Sequence, residues 1–243
     1  MSIIKQAPAP GFPTLHHLES SQSLKILWAL EELDQLYNVG YGLIVYERSL
    51  NATELRKISP LGFSPILTVP QAKVQKDKVI LESRLILNYI HKTFGKDVWT
   101  PDEEDVDRDE FFQEFGQNTF NQRVGFAMAL EAISQGIPLF LFFLKPLFWV
   151  TLLPIAKLWL SNYVSRIFLF LEDALTDSKP FFSGNKFGKA DILMTFPVDV
   201  SVQRGYLDEK KYPKLHRWHR TCHERPAFKR ALDKGGRYNL KSF

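Results

Sequence analysis

The sequence predicts two domains of different class, an α/β domain with a four-stranded mixed sheet and an all-α helical bundle that follows it. Within the first 95 residues, short apolar runs of strand length alternate with stretches whose apolar residues recur at helical spacing. From residue 96 onward the patterns are helical and are separated by prolines and glycines. Strands that alternate with helices and end in a hairpin are typical of a small α/β sandwich.

Four segments of the first domain are predicted strands: Thr14–Leu18, Tyr41–Tyr46, Ile66–Val69 and Val79–Leu81. Two helices complete the domain. The first follows a serine-rich segment of N-cap residue types, and the second begins at Ser83. The predicted element order is therefore β-α-β-loop-β-β-α.

Residues 95–107 are polar, acidic and turn-prone, so we place the domain boundary there, with 1–95 as the first domain and 96–243 as the second. Thr100-Pro101-Asp102-Glu103 predicts a helix start, because it combines a cap hydroxyl, a proline at the first position and a glutamate at the third. Later helices are expected to break near Pro138, Pro146 and Pro154.

The composition is that of an ordinary globular protein, with 45% apolar and 24% charged residues. The single cysteine, Cys222, excludes an intramolecular disulfide and a cysteine-based zinc site. Such cysteine usage suits a reducing compartment, so we expect a cytoplasmic protein. The first 13 residues contain three prolines and no continuous apolar run, so no secretory signal is expected.

The first candidate site is the predicted strand-to-helix junction Leu18-Glu19-Ser20-Ser21. A helix N-terminus offers unpaired N–H groups and the positive end of a dipole, which favour an anion such as a thiolate. A serine hydroxyl at that place can donate one more hydrogen bond to sulfur. A serine that only caps its helix fits the same residues, and either Ser20 or Ser21 fits the role of thiol partner.

The second candidate site is the loop Ser59-Pro60-Leu61-Gly62-Phe63-Ser64-Pro65, directly before a predicted strand. A cis bond before Pro65 can turn the preceding backbone outward. The N–H and C=O of Ser64 would then pair with an extended peptide as an added strand does. Taken alone, a loop of this composition is also consistent with an ordinary turn.

The third candidate site is Leu81-Glu82-Ser83, at the junction of a strand and a helix. A carboxylate receives an ammonium group, while a hydroxyl and helix N–H groups receive a carboxylate. The Glu82–Ser83 pair therefore suits the α-amino acid end of a ligand, although Glu-Ser before a helix is also a common cap.

In their order and spacing, the three motifs resemble those of the glutathione transferases. In that family a strand–serine–helix unit meets the thiol, a Pro-Leu-Gly-x-x-Pro loop meets the cysteinyl backbone, and a Glu-Ser pair meets the γ-glutamyl group. The resemblance covers residues 14–232 and continues through Ala190-Asp191-Ile192, Tyr212-Pro213-x-Leu215-x-x-Trp218 and Glu224-Arg225-Pro226-Ala227-Phe228. Leu15-His16-His17-Leu18 and the segment 190–197 most resemble the fungal, membrane-associated branch.

The resemblance implies a thioredoxin-like first domain that binds glutathione and a phenylalanine-rich helical domain that accepts the electrophile. Ser21 is the implied catalytic residue, and the implied glutathione contacts are Ser21, Arg48, Phe63, Ser64, Pro65, Glu82 and Ser83. Glutathione would be a co-substrate, and no other cofactor is expected. The implied function is conjugation of the thiolate to small apolar electrophiles, as in detoxification, with peroxidase activity compatible and a homodimer expected. A non-catalytic carrier or regulatory binding protein of the same fold is the alternative.

Three positions depart from the family pattern. Gln22 stands where Arg often follows the thiol-facing serine, and Phe63 stands where Lys, Arg or Gln is usual. The contact to the glycyl carboxylate is then missing at Phe63, and Arg48 is the expected substitute. These two losses favour the non-catalytic alternative. Gly188 stands three residues before Asp191 where Ser or Thr is usual, so the capping box lacks its hydroxyl; Asp191 itself is expected to be structural.

Two groups of histidines are candidate metal ligands. His216, His219 and His223 lie at i, i+3 and i+7 and can share a helix face beside Cys222. Because basic residues surround them and no carboxylate cluster accompanies them, we expect no metal site there. His16 and His17 are consecutive on a predicted strand, so they point to opposite faces and do not bind one ion together.

Residues 137–160 are overwhelmingly apolar and aromatic, and Lys145-Pro146 and Pro154 break them into runs shorter than the roughly 18–20 residues that span a bilayer. The sequence leaves three roles for this stretch: it can pack in the core or the substrate pocket, form a dimer surface, or insert into a membrane interface. Residues 214–243 contain 9 basic and 2 acidic residues. This basic end fits either a solvated helix face or contact with anionic lipid, the latter implying a peripheral position at the endoplasmic reticulum membrane. No nucleic-acid partner is expected.

Overall fold

The computed structural model describes residues 2–7, 9–48, 53–72, 76–135 and 153–241 of the chain. Within them, a mixed sheet of five strands forms the first part of the molecule: β1 (Ser2–Gln6), β2 (Thr14–Leu18), β3 (Gly42–Tyr46), β4 (Ile66–Val69) and β5 (Lys78–Leu81). The spatial order is β1-β3-β2-β4-β5, with β2 and β3 parallel and the remaining neighbours antiparallel.

The prediction of four strands was wrong by one, because β1 was not foreseen. Among the described strands it pairs with β3 alone, antiparallel, with Ser2 opposite Tyr46 and an irregularity between Ile4 and Gln6. An edge strand of five residues that includes serine, lysine and glutamine has no alternating apolar pattern of its own. Its formation therefore depends on pairing with β3, some forty residues away along the chain.

The described helices are α1 (Leu24–Tyr37), α2 (Thr53–Arg56), α3 (Ser83–Phe94), α4 (Val106–Glu114), α5 (Asn121–Gln135), α6 (Leu153–Ala174), α7 (Lys189–Gln203), α8 (Pro213–Glu224) and α9 (Pro226–Gly235). A π-helical stretch, Phe115–Phe120, joins α4 to α5. The predicted α/β part followed by an all-α part is thus confirmed in class. The start predicted at Thr100 was early, since a short 3-10 turn at Glu103–Asp105 precedes α4. The boundary between residues 95 and 96 stays a prediction.

Helix α1 lies at the centre of the molecule and packs against α3, α7 and α9. Its Leu27 and Trp28 side chains are fully buried, and the Trp28 ring contacts the rings of Phe187 and Phe228 from the helical part. Asn38 ends α1 in the left-handed conformation, where its N–H donates to the Asp34 carbonyl. The burial of α1 holds the start of this helix, next to the end of β2, in a fixed place.

The basic C-terminal end is partly neutralised by ion pairs. Five of its nine basic side chains pair with carboxylates: Arg217 with Asp177, Arg220 with Glu209, Arg225 with Glu32, and both Arg230 and Lys234 with Glu31. Glu31 and Glu32 are buried on α1, so three of these pairs tie α9 and the preceding turn to the first part of the chain. Much of the charge at this end therefore stabilises the fold.

Among the helices that the structure describes, none combines the length and the hydropathy needed to cross a bilayer. Most of the apolar stretch 137–160 lies outside the described residues, which resume at 153. The predicted contacts of that stretch with membrane, partner subunit or substrate are therefore still predictions.

Candidate functional site

A cleft of about 330 Å³ opens beside the ends of β2 and β5 and is closed on its other side by the helical part. The volume lies within the range of small-molecule binding sites. Every predicted ligand contact lines this cleft, together with a few apolar and polar neighbours: Leu18, Ser21, Gln22, Arg48, Leu61, Gly62, Phe63, Ser64, Pro65, Leu81, Glu82, Ser83, Met128 and Phe196. The three motifs, separated by up to sixty residues in sequence, thus face one space.

Ser21 lies in the turn between β2 and α1. Its hydroxyl donates to the Leu18 carbonyl at 2.8 Å and lies 3.0 Å from the Ser23 hydroxyl. The Ser21 oxygen also accepts from the Ser23 N–H at 3.2 Å. Within the part of the chain that the structure describes, the N–H groups of Ser21 and Gln22 have no hydrogen-bond partner. Two backbone donors and one hydroxyl are therefore grouped at this wall of the cleft, the donor set that an anion requires.

Ser20, the rival for the same role, points elsewhere. It adopts a left-handed backbone with φ of 49°. Its hydroxyl donates to the Arg237 carbonyl at 3.1 Å and accepts from the Asn239 N–H at 3.0 Å. Ser20 does not line the cleft. Its hydrogen bonds instead hold the C-terminal segment against the turn before α1.

A buried hydrogen-bond network holds the turn that carries Ser21 on the side away from the cleft. The Ser23 hydroxyl lies 2.6 Å from Nδ1 of His17, whose other ring nitrogen faces the Gly235 backbone. Burial lowers the pKa of His17 to about 4, so the imidazole is neutral at pH 7. We assign the proton to Nε2 from this network, which leaves Nδ1 to accept from Ser23. The His17–Ser23 pair thereby fixes the turn that carries Ser21.

The Ser64–Pro65 peptide bond is cis. The Ser64 hydroxyl donates to the His16 carbonyl at 3.1 Å and accepts from the Leu18 N–H at 3.2 Å, which fastens the loop to β2. The backbone N–H and C=O of Ser64 form no backbone hydrogen bond with any described residue. Both groups therefore remain available to an extended ligand that adds to this edge.

Glu82 has φ of 67°, an unusual conformation for a residue other than glycine. A strained backbone of this kind costs about 1–3 kcal/mol and is concentrated at binding and active sites. The Glu82 carboxylate is exposed in the cleft, whereas Ser83 is buried as the first residue of α3. Glu82 thus lies at the start of α3, where the first N–H groups of a helix have no partner within the helix.

Arg48 and Phe63 line the rim of the cleft. Arg48 donates to the Ser20 carbonyl at 2.6 Å, so the turn before α1 fixes its position. The Phe63 side chain is 70% exposed. The lining here therefore combines one cation with one open apolar side chain, and the role of Arg48 as a substitute for a polar residue at position 63 stays a prediction.

Lys25 is a component of this region that the sequence did not reveal. It is buried in the first turn of α1, where its amine donates to the side-chain oxygens of Gln22, at 3.1 Å, and of Gln117. Burial lowers its pKa to about 7, and the charge of Glu82 opposes this effect. Because Gln22 lines the cleft, Lys25 is one residue removed from it. A lone lysine within an apolar helix face was the only signal in the sequence.

The helical part contributes Met128 and Phe196 to the cleft. The sequence predicted that many phenylalanines of this part line the pocket. Among those that the structure describes, Phe196 alone does so. Other phenylalanines of this part pack against one another, in a cluster of Phe111, Phe112, Phe115, Phe170 and Phe182. These rings contribute to packing within the helical part and do not line the ligand cleft.

Asp191 lies outside the cleft, at the start of α7, and is fully buried. One carboxylate oxygen accepts from the Phe182 N–H at 2.8 Å and from the Trp218 indole at 2.7 Å. The other accepts from the Gly188 N–H at 3.0 Å and, more weakly, from the Ser183 N–H at 3.4 Å. Burial raises the pKa of this carboxyl, and these bonds oppose the rise. The four donors lie in the loop before α7 and on α8, so the Asp191 carboxylate holds the start of α7 against both.

Comparisons with known proteins agree with this arrangement. The family model of the glutathione S-transferase N-terminal domain matches residues 12–92, and that of the C-terminal domain matches residues 156–226. Glutathione S-transferase 3 of Schizosaccharomyces pombe is 32% identical over 228 residues, which are 90% of this chain and 86% of the relative. Glutathione S-transferase 1 of Saccharomyces cerevisiae is 25% identical over 226 residues, 90% of this chain and 94% of the relative.

Solved structures show the same fold. A glutathione S-transferase from Actinobacillus pleuropneumoniae superposes with a TM-score of 0.70 at 22% identity, over 96% of this chain and 97% of that one. A glutathione transferase from Phanerochaete chrysosporium with oxidised glutathione gives a TM-score of 0.68 at 23% identity, over 94% of this chain and 97% of that one. With two family models that match most of its length and a curated relative 32% identical, the chain belongs to the glutathione S-transferase family.

Proposed function

We propose that this member of the family is an active glutathione transferase that joins the glutathione thiolate to small apolar electrophiles. The observation that carries the proposal is the convergence of the three motifs on one cleft, with Ser21, Ser64 and Glu82 on its lining. The curated relatives bear the name glutathione S-transferase, which supports the same activity here.

The lining suggests how the tripeptide lies. The γ-glutamyl ammonium pairs with the Glu82 carboxylate, and its carboxylate receives the Ser83 hydroxyl and the N–H groups at the start of α3. The cysteinyl backbone adds to the unpaired N–H and C=O of Ser64. The glycyl carboxylate meets Arg48, and the sulfur then faces Ser21. Each charged end of the ligand thus finds a group of opposite charge or a helix start.

The chemical task at Ser21 is to stabilise a thiolate. A free thiol with a pKa near 8.5 is only a few per cent ionised at neutral pH, and a decrease of about two units requires roughly 2.7 kcal/mol. A helix dipole contributes about 0.3–1 kcal/mol and a hydrogen bond to a charged group about 1.5–3 kcal/mol. The free N–H groups of Ser21 and Gln22 and the Ser21 hydroxyl together supply this amount.

The Ser21 hydroxyl has one proton, and in the structure it is directed to the Leu18 carbonyl. Donation to sulfur therefore requires rotation of the Ser21 hydroxyl about its Cβ–Oγ bond. A bound thiolate drives this rotation, because a charge-assisted hydrogen bond is roughly twice as strong as a neutral one.

Thiol ionisation alone gives only a several-fold gain, because a more stable thiolate is a poorer nucleophile, with a Brønsted slope of about 0.4–0.5. Most of the acceleration must come from holding the electrophile beside the sulfur. Met128 and Phe196 provide the apolar surface for it at the helical side of the cleft. Peroxidase activity toward organic hydroperoxides would use the same thiolate and stays a prediction, as do the homodimer and membrane contact through residues 137–160.

A conjugation assay with a generic aryl halide tests the proposal, with and without glutathione. We expect turnover that depends on both the enzyme and glutathione and that saturates with glutathione. A protein that binds glutathione yet shows no turnover with aryl halides, epoxides or hydroperoxides would instead be the non-catalytic carrier that Phe63 and Gln22 favour.

A further inference from the structure

Asp199, His219 and His223 converge at a place remote from the cleft. Asp199 lies on α7, and the two histidines lie on α8 at positions i and i+4, so they share one helix face. Nε2 of His219 and Nε2 of His223 each lie 2.7 Å from the same oxygen, Oδ1 of Asp199. The ring centroids are 4.0 Å apart, and one ligand atom from each residue lies within 4.8 Å of the others.

The charge of this cluster is not balanced by a fixed cation. Asp199 is buried, and its polar neighbours are the two imidazoles at Oδ1 and the Tyr238 hydroxyl at Oδ2. Within the described residues, no lysine or arginine forms an ion pair with it. A buried carboxylate requires a compensating positive charge. A cation bound at Oδ1 of Asp199 supplies that charge.

One neighbour holds the Asp199 carboxylate in a fixed orientation. The Tyr238 hydroxyl donates to the other Asp199 oxygen, Oδ2, at 2.6 Å, which fixes the carboxylate and leaves Oδ1 directed at the histidines. The His223 ring packs against Phe228 with the centroids 4.1 Å apart. The Asp199 side chain is 1% exposed, whereas those of His219 and His223 are 15% and 29% exposed, so an ion can enter from one side.

We propose that Asp199, His219 and His223 bind one divalent transition-metal ion, with water completing its coordination on the exposed side. Two imidazoles and one carboxylate are a ligand set that zinc and its neighbours in the first transition row favour. Bonds of about 2.0–2.2 Å place tetrahedral ligand atoms roughly 3.3 Å apart. The present 2.7 Å contacts therefore need to open by about half an ångström, which small side-chain rotations provide.

Sequence reasoning rejected this site because no carboxylate accompanies the histidines along the chain. The fold supplies one from α7, twenty residues earlier. Two neighbours of the pair are not ligands. The His216 ring faces the Leu207 carbonyl, with Nε2 at 3.2 Å. Cys222 is fully buried, and burial raises its pKa well above the usual value, so it does not offer a thiolate.

Calorimetric titration of the untagged, chelator-treated protein with zinc chloride tests the proposal. We expect one zinc ion per chain, a Kd below about 100 μM, and binding at least about tenfold weaker in His219→Ala and in His223→Ala. The matched control is His216→Ala on the same helix, which should bind zinc as the wild type does. Zinc should also raise the melting temperature of the wild type and the control, and not that of the double variant His219→Ala/His223→Ala.

Cobalt(II) provides a second measurement that does not depend on activity. The wild type should give the visible absorption of a four- or five-coordinate ion, and the double variant should lose it. Asp199→Asn tests the carboxylate, but its burial means that the variant can fail to fold, so the less buried histidines decide the result. Absence of zinc binding in the wild type, or equal binding by the double variant, would show that the cluster is only a hydrogen-bonded brace. None of the three residues lines the cleft, so the result is independent of the proposed function.

Discussion

The Ser183 side chain occupies the space that a side chain at position 188 would need. A Cβ atom on Gly188 would lie 2.6 Å from Cβ of Ser183, far closer than packed carbons allow. The Ser183 hydroxyl accepts from the Ala190 N–H at 3.2 Å and donates to Asp109 at 2.6 Å. The hydroxyl absent from position 188 is therefore supplied from position 183, and the start of α7 keeps a cap that its own sequence lacks.

This relationship predicts strong coupling between the two positions. Gly188→Ser alone should lower the free energy of unfolding by about 1–3 kcal/mol, because the backbone at 188 is extended and only the clash opposes serine. Ser183→Gly should rescue it, since the new hydroxyl can then cap α7. Chemical denaturation of the two single variants and the double variant measures the coupling. If Gly188→Ser is as stable as the wild type, Ser183 does not hold that space.

Asp191 is predicted to be structural, because its carboxylate binds three backbone N–H groups and one indole N–H. Asp191→Ala should lower the free energy of unfolding by about 1–3 kcal/mol and slow folding, with ligand chemistry unchanged. The melting temperature and the conjugation rate of the folded variant separate the two roles. An unchanged melting temperature with lost activity would make Asp191 catalytic.

Ser21→Ala should lower kcat roughly tenfold, with a smaller effect on KM, since its hydrogen bond to sulfur matters most for the thiolate. Ser20→Ala is the matched control, because the Ser20 hydroxyl binds the C-terminal segment. Steady-state kinetics with varied glutathione measure both. If only the Ser20 variant loses turnover, the thiol partner is Ser20. If neither variant loses turnover, backbone N–H groups activate the thiol without a serine hydroxyl.

His17 predicts a loss of stability in acid. Its pKa is about 4 in the folded protein, below the ordinary 6.5, so the unfolded chain binds the proton first. The free energy of unfolding should be highest above pH 6.5 and fall as the pH drops toward 4, by roughly 1–3 kcal/mol from this residue. His17→Asn should be less stable at pH 7 and show a weaker decline. If the free energy of unfolding of His17→Asn falls with pH as steeply as that of the wild type, His17 is not the cause of the loss of stability in acid.

The sequence was most informative where the signal is local. The strand ends at Leu18 and Leu81, the helix start at Ser83 and the loop before Pro65 each depend on a few adjacent residues, and all were predicted within one residue or so. Because β2 and β5 end at the same side of the sheet as this loop, placing these motifs correctly was enough to assemble the cleft.

What the sequence did not reveal depends on contacts between distant segments. Strand β1 exists through its pairing with β3, and the burial of Lys25 depends on Gln117 of the helical part. The carboxylate of Asp199 reaches the two histidines only because α7 and α8 pack together. None of these contacts has a periodic or compositional signature, so each required the fold.

Glutathione binding itself is the most direct test of the site. Calorimetric titration of the wild type should show one glutathione per chain, and Glu82→Ala should weaken binding at least about tenfold, because it removes the partner of the ligand ammonium. Arg48→Ala should weaken it less, and Glu54→Ala, which removes an exposed carboxylate outside the cleft, should leave it unchanged. Equal affinity of the wild type and Glu82→Ala for glutathione would contradict the assignment of this cleft.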